Sequence, residues 1–128
     1  MTHFNIVLND LLFRNVSSKP QLWKNSEDRP TSALFKDSKG VSVDRLKERN
    51  NEEAIGDIRT KFSDTYAIIT VSTENCTKAG AVVFDKPIEN NIFHAEIHKS
   101  LSEVELTSSQ ARQLAKVAEI VYRINYKK

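Results

Sequence analysis

Apolar and polar residues alternate strictly through residues 92–98, Ile-Phe-His-Ala-Glu-Ile-His, setting Phe93, Ala95 and Ile97 against His94, Glu96 and His98. Successive side chains of an extended chain point to opposite faces. The segment therefore predicts a strand with Phe93, Ala95 and Ile97 turned to a core and three ionisable groups on the other face. Residues 66–71 and 79–84 are continuously apolar and rich in β-branched side chains, which predicts two central, buried strands. Residues 73–78 between them form a loop or one helical turn, and 85–91 a polar connection that puts a sheet edge near 92–98.

The remaining segments follow from turn and capping chemistry. Residues 4–16 hold Phe4, Ile6, Leu8, Leu11, Leu12 and Val16, predicting a short helix and then a strand from Leu12 to Val16. Residues 17–32 are crowded with Ser, Asp, Asn and two prolines, a long loop pinned by Leu22 and Trp23. From Ala33 an extended piece to Phe35, a turn over 37–40 and Val41–Val43 read as a hairpin. Asn50 or Asn51 caps a helix with Glu52 and Glu53 in its first turn, an apolar face of Ala54, Ile55, Ile58 and Phe62, and an end near Ser63. Thr107 and Gln110 have capping-box spacing, and Ala111, Leu114, Ala115, Ala118, Val121 and Tyr122 recur at helical intervals. The expected fold class is α+β: a single domain over 1–128, with a mixed, mostly antiparallel sheet carrying a C-terminal helix and one shorter helix.

Composition narrows the function classes. At 128 residues, 39% hydrophobic and 28% charged, the chain can bury a core of its own. A formal charge of +2 is far from the footprint of a dedicated DNA-binding domain, but the excess is local: residues 1–50 carry nine Lys or Arg against six Asp or Glu. Cys76 is the only cysteine, so these residues hold neither a Cys-x-x-Cys site nor an intrachain disulfide, which suits a reducing compartment. With no basic start, no signal-like apolar run and no stretch of roughly 18 apolar residues, the expectation is a cytoplasmic protein with no membrane partner. Three glycines in all leave no Walker or dinucleotide pattern, and no Gly-x-Ser-x-Gly elbow is present.

Two constellations can carry chemistry. His94, Glu96 and His98 follow one another at intervals of about 6.5–7 Å along one strand face. That face can ligate a metal with help from His3, Asp44, Asp85 or Glu89, serve acid–base catalysis through His94 and Glu96, or simply face water. A zinc deaminase is excluded, since its second motif needs two more thiolates; neither a metal nor a cofactor is expected. The second constellation runs from Arg29 through Ser32, Phe35 and Lys36 to Ser42, Asp44 and Arg45. Arginine forks and hydroxyls suit an anion. Phe13-Arg14, Trp23-Lys24 and Phe35-Lys36 also place aromatics beside cations, as a nucleic-acid platform requires. The plainer alternative makes Phe13, Trp23 and Phe35 core residues and pairs Arg29 with Asp28 or Asp44.

The order Leu12-Phe-Arg14, Arg29-Pro-Thr-Ser-Ala-Leu-Phe-Lys36, Val41-Ser-Val-Asp-Arg45 and Pro87-Ile-Glu-Asn-Asn91 leading to His94-Ala-Glu-Ile97 resembles a family of small uncharacterised bacterial proteins. Those carry Arg-Pro-Ser-Ser-x-x-Phe, Leu-Ser-Val-Asp and Asn-Pro-x-His-Ala segments. The chain departs from them at Thr31, at Val41 and at Asn91-Ile92-Phe93. The resemblance implies a bacterial or phage origin and matches Arg29, Ser32, Phe35, Ser42, Asp44 and His94 to the motifs; it implies no activity. The functional expectation is an accessory module binding a nucleic acid or protein partner through Arg14, Trp23, Arg29, Ser32, Phe35, Lys36, Ser42, Asp44 and Arg45. The alternatives are an enzyme on a nucleotide or RNA, with His94 and Glu96 as acid and base and Arg29 clamping phosphate, and a structural subunit. Oligomeric state is left open.

Overall fold

The computed structural model describes residues 5–124; His3 and Phe4 lie outside them. In chain order it comprises β1 (Leu11–Val16), β2 (Trp23–Lys24), β3 (Arg29–Pro30), β4 (Val41–Arg45), α1 (Asn51–Lys61), β5 (Ala67–Ser72), α2 (Thr73–Lys78), β6 (Val82–Asp85), β7 (His94–His98), α3 (Ser108–Val117) and β8 (Glu119–Arg123). Six strands form one sheet in the order β6-β7-β4-β1-β5-β8, every pair antiparallel, and β2 and β3 make a separate two-stranded ribbon. This is the expected α+β arrangement.

Period-2 alternation assigns the two faces. Leu12, Val43, Ile69, Val83, Ala95 and Ile97 point to one side, where Ala111, Leu114 and Ala115 of α3 complete the larger core cluster. Phe13 and Ile68 point to the other, where Ala54 and Ile58 of α1 close a smaller cluster. All three helices begin with a reciprocal capping box, at Asn50, Ser72 and Thr107, so side chains satisfy donors that each first turn leaves free. On the β6–β7–β4 half, the α1-side face carries Ser42, Asp44, His94, Glu96 and His98, as the registers Ser42↔Glu96 and Asp44↔His94 require.

Several expectations are corrected. Residues 5–10 are not helical; Ile6 bridges Phe84, and Val7 N–H donates to Val83 O along the outer edge of β6. β6 starts at Val82, after the α2 C-cap at Ala79 and Gly80, and lies at the sheet margin rather than its centre. Residues 32–35 form a 3-10 turn, not a hairpin strand. A strand would send Leu34 and Phe35 to opposite faces, whereas the turn buries both. The last helix ends at Val117, and Val121 and Tyr122 belong to β8, whose β-branched and aromatic residues suit pairing with the otherwise open edge of β5. Strand β7 starts at His94, leaving Phe93 half-buried beneath the Arg49 guanidinium at 3.4 Å. Phe62 caps α1 and is 46% exposed instead of core.

Candidate functional site

The site grows out of a fork in the sheet. β1 pairs with β5 through all six of its residues, but with β4 only at Leu12↔Arg45 and Phe13↔Asp44. Beyond those pairs β1 and β4 part, and the Arg14 side chain occupies the opening: Nε–H donates to Leu34 O at 2.9 Å and Nη1–H to Ser42 O at 2.7 Å. The guanidinium thus satisfies a strand carbonyl that a continued ladder would have paired. Burial draws the Arg14 pKa down from 12.5 to about 10, with Asp37 partly opposing the shift, so the group stays cationic at neutral pH. Of its five N–H donors, three have no partner among the described residues, nor does any carboxylate there form an ion pair with it.

Arg14 opens into a cleft of about 1010 Å³. Leu22, Leu34, Ile58, Phe62 and Ile88 supply apolar walls, and Ser42, Asp44, Asn91 and His94 supply polar ones. Asp44 is 6% exposed and held from two sides, by the Lys61 ammonium of α1 and by Asn91 Nδ2–H at 2.8 Å. His94 Nδ1 lies 2.8 Å from Lys86 O. A carbonyl can only accept, so Nδ1 carries the proton and Nε2 of the neutral ring remains an acceptor.

The candidates named from sequence divide into two groups. Arg14, Ser42, Asp44 and His94 converge on the cleft, and Lys36 lines it while its Nζ donates to Leu106 O. Arg29 is elsewhere: its Nη2 reaches Ala115 O, Lys116 O and Ala118 O at 2.8–3.2 Å, capping the C-terminus of α3, and it pairs with neither Asp28 nor Asp44. Arg29 and His94 therefore do not share a pocket. Phe13, Trp23 and Phe35 are 1%, 6% and 0% exposed, so all three fill the core, with Trp23 edge-on to Tyr66. Ser32 opens the 3-10 turn.

Glu96 sits on the face of His94 but outside the cleft, with His98 Nε2 at 2.9 Å and Lys86 Nζ at 3.4 Å from its Oε1. Gly40 packs against this pair at φ +101°, where a Cβ would fall 2.8 Å from Glu96 Oε1. Arg45 is likewise engaged, with Asp10 at 2.9 Å and Asp85 at 3.2 Å; burial acts to lower its pKa, but those two carboxylates outweigh it and raise the value. Cys76 is buried, and desolvation lifts its thiol to about 12. Among the described residues no three His, Cys, Asp or Glu are placed to hold one metal ion, and no helix is long and apolar enough to cross a membrane.

Lys61 and Asn91, which fix Asp44, escape a reading of sequence alone. Lys61 lies 17 residues from its partner and Asn91 lies 47, and no local pattern joins them. No family model, curated protein or solved structure matches the chain.

Proposed function

We propose that this protein is a small accessory binding module of bacterial or phage origin whose cleft receives an anionic group of a partner, with Arg14 as the fixed cation. The observation that carries the reading is the half-buried Arg14 guanidinium on the cleft wall, fixed by two carbonyls, with three N–H donors and no ion pair among the described residues, Asp37 acting on it only through space. Placing a cation out of water without a counter-ion disfavours folding unless hydrogen bonds offset it. An incoming anion would complete the pairing. A protein partner is favoured over a nucleic acid because Phe13, Trp23 and Phe35 lie in the core and offer no ring faces for stacking bases. The motif resemblance supports the origin, and the lone buried thiol supports a cytoplasmic location.

The test is a titration of ¹⁵N-labelled protein with acetate and, separately, inorganic phosphate. The Arg14 Nε–H signal and the amides of Leu34, Ser42 and Asn91 are expected to shift in saturable fashion, and Arg14→Gln to abolish the response. Absence of any response to either anion would remove the reading.

One observation favours a second reading, catalysis on an anionic substrate: His94 lines the cleft that Arg14 shares, with its Nδ1 engaged by Lys86 O so that Nε2 is the ring nitrogen left for proton transfer. In this reading His94 acts with Arg14, while Glu96, outside the cleft, is not the acid. Cleavage of a short RNA that is lost in His94→Ala would support it, and equal cleavage by both proteins would sink it.

A further inference from the structure

Resting on the reading of the cleft as an anion site, the charge balance there selects the anion. Lys61 is matched by Asp44 and Lys36 by Glu105, and Lys19 is exposed to solvent. That leaves Arg14, half-buried and in no ion pair among the described residues, with Asp37 acting on it only through space. One guanidinium balances one negative charge. A dianion would bring its second charge to a wall that carries Asp64 and the C-terminal end of α1, where the helix dipole is negative.

Shape points the same way. Nη2 keeps both hydrogens and Nη1 keeps one, so the end of the guanidinium can still meet the two oxygens of a carboxylate in a fork. Among the polar groups of the lining the cleft also presents apolar surface, with Phe62 and Ile88 46% and 52% exposed. A volume of about 1010 Å³ is at the top of the ~300–1,000 Å³ range of small-molecule sites, which gives room for a length of chain behind the charged group. We infer that the cleft takes the C-terminal carboxylate of a protein partner, with Arg14 gripping the carboxylate and the apolar side chains of the last residues resting against Phe62 and Ile88. This is terminal-carboxylate capture, made here by a half-buried arginine in a sheet fork.

The experiment uses a fluorescent peptide ending in Leu-Ile-Phe with a free C-terminus, the same peptide as its C-terminal amide, hexanoate, a peptide ending in a phosphate monoester, and a short oligouridylate. The free-acid peptide is expected to bind at least about tenfold more tightly than its amide, and Arg14→Gln to erase that difference. Ile88→Ala, on the exposed rim, removes apolar contact without adding charge and is expected to weaken the free-acid peptide and its amide by the same factor, leaving the acid-over-amide preference in place. Equal binding of acid and amide, or tighter binding of the phosphate ester or the oligouridylate, would overturn the inference. Hexanoate matching the peptide would overturn it in favour of free acids. Each of these results leaves the acetate response at Arg14 standing; loss of that response in the wild-type protein is the separate failure of the anion site itself.

Discussion

Arg29→Ala separates a structural from a ligand-binding role for the residue that the sequence made the leading anion clamp. Its Nη2 faces three carbonyls at the end of α3, Ala115 O at 3.0 Å, Lys116 O at 3.2 Å and Ala118 O at 2.8 Å. Nη2 has two hydrogens, so the three contacts amount to two charge-assisted bonds, one of them shared. Such bonds are worth about 1.5–3 kcal/mol each when dry, and the partial exposure of this side chain brings each below that range, to about 2 kcal/mol for the pair. Loss of a cation at a helix C-terminus adds about 0.3–1 kcal/mol. The total of about 2–3 kcal/mol, at about 4 °C per kcal/mol for a chain of this size, predicts a fall in Tm of about 8–12 °C. Thermal unfolding followed by circular dichroism reads it directly, with Arg29→Lys recovering part of the loss through a single ammonium donor. The acetate response of the folded variant is expected to match the wild type. A fall in Tm below about 2 °C, or an unaltered Tm with a lost acetate response, would refute the reasoning and return Arg29 to the binding site.

Other expectations are simpler. Leu114→Ala, at a fully buried position, is expected to cost about 2–5 kcal/mol in urea unfolding; a cost below about 1 kcal/mol would mean that α3 is not seated on the main core. Gly40→Ala forces a Cβ to 2.8 Å from Glu96 Oε1 at φ +101° and is expected to destabilise by about 1–3 kcal/mol, with a neutral result contradicting the close approach. Cys76 holds its proton to about pH 12 when folded, against a usual 9.0. The folded state therefore binds the extra proton between those values, and stability falls with rising pH there by up to about 1.4 kcal/mol per unit. Cys76→Ala is expected to flatten that part of the pH–stability curve relative to the wild type, and the native thiol to resist labelling at pH 8. Rapid labelling of the folded protein would place the thiol outside the core.

The acid–base face and the anion site differ in how far local pattern reaches. Alternation placed Ala95 and Ile97 in the core and His94, Glu96 and His98 opposite, because a strand has only two faces. Pattern also identified Arg14, Ser42, Asp44 and His94 as chemically apt, and the fold brings these four to one cleft. It ranked Arg29 above Arg14 because Arg29 stands among Ser, Thr and Pro, whereas Arg14 lies within an apolar strand. Only the parting of β1 from β4 makes Arg14 the cation of the cleft, and only the packing of α3 claims Arg29.

Sequence by itself determined what depends on neighbours within a few residues: the two faces of β7, the caps at Asn50 and Thr107, the turn before Gly40, and a core large enough for an α+β fold. Tertiary structure alone decided what depends on residues far apart in the chain. The helical stripe 111–122 was cut at Val117 because β5 needed a partner along its open edge, and Leu34 and Phe35 turned into a 3-10 coil because α3 covers both. Asp44 is set by Lys61 from α1 and by Asn91 from the segment before β7. Side-chain periodicity is a property of the local backbone, whereas the pairing of a strand edge, a buried charge or a carbonyl is settled by whichever distant group reaches it first, with the least loss of hydrogen bonding.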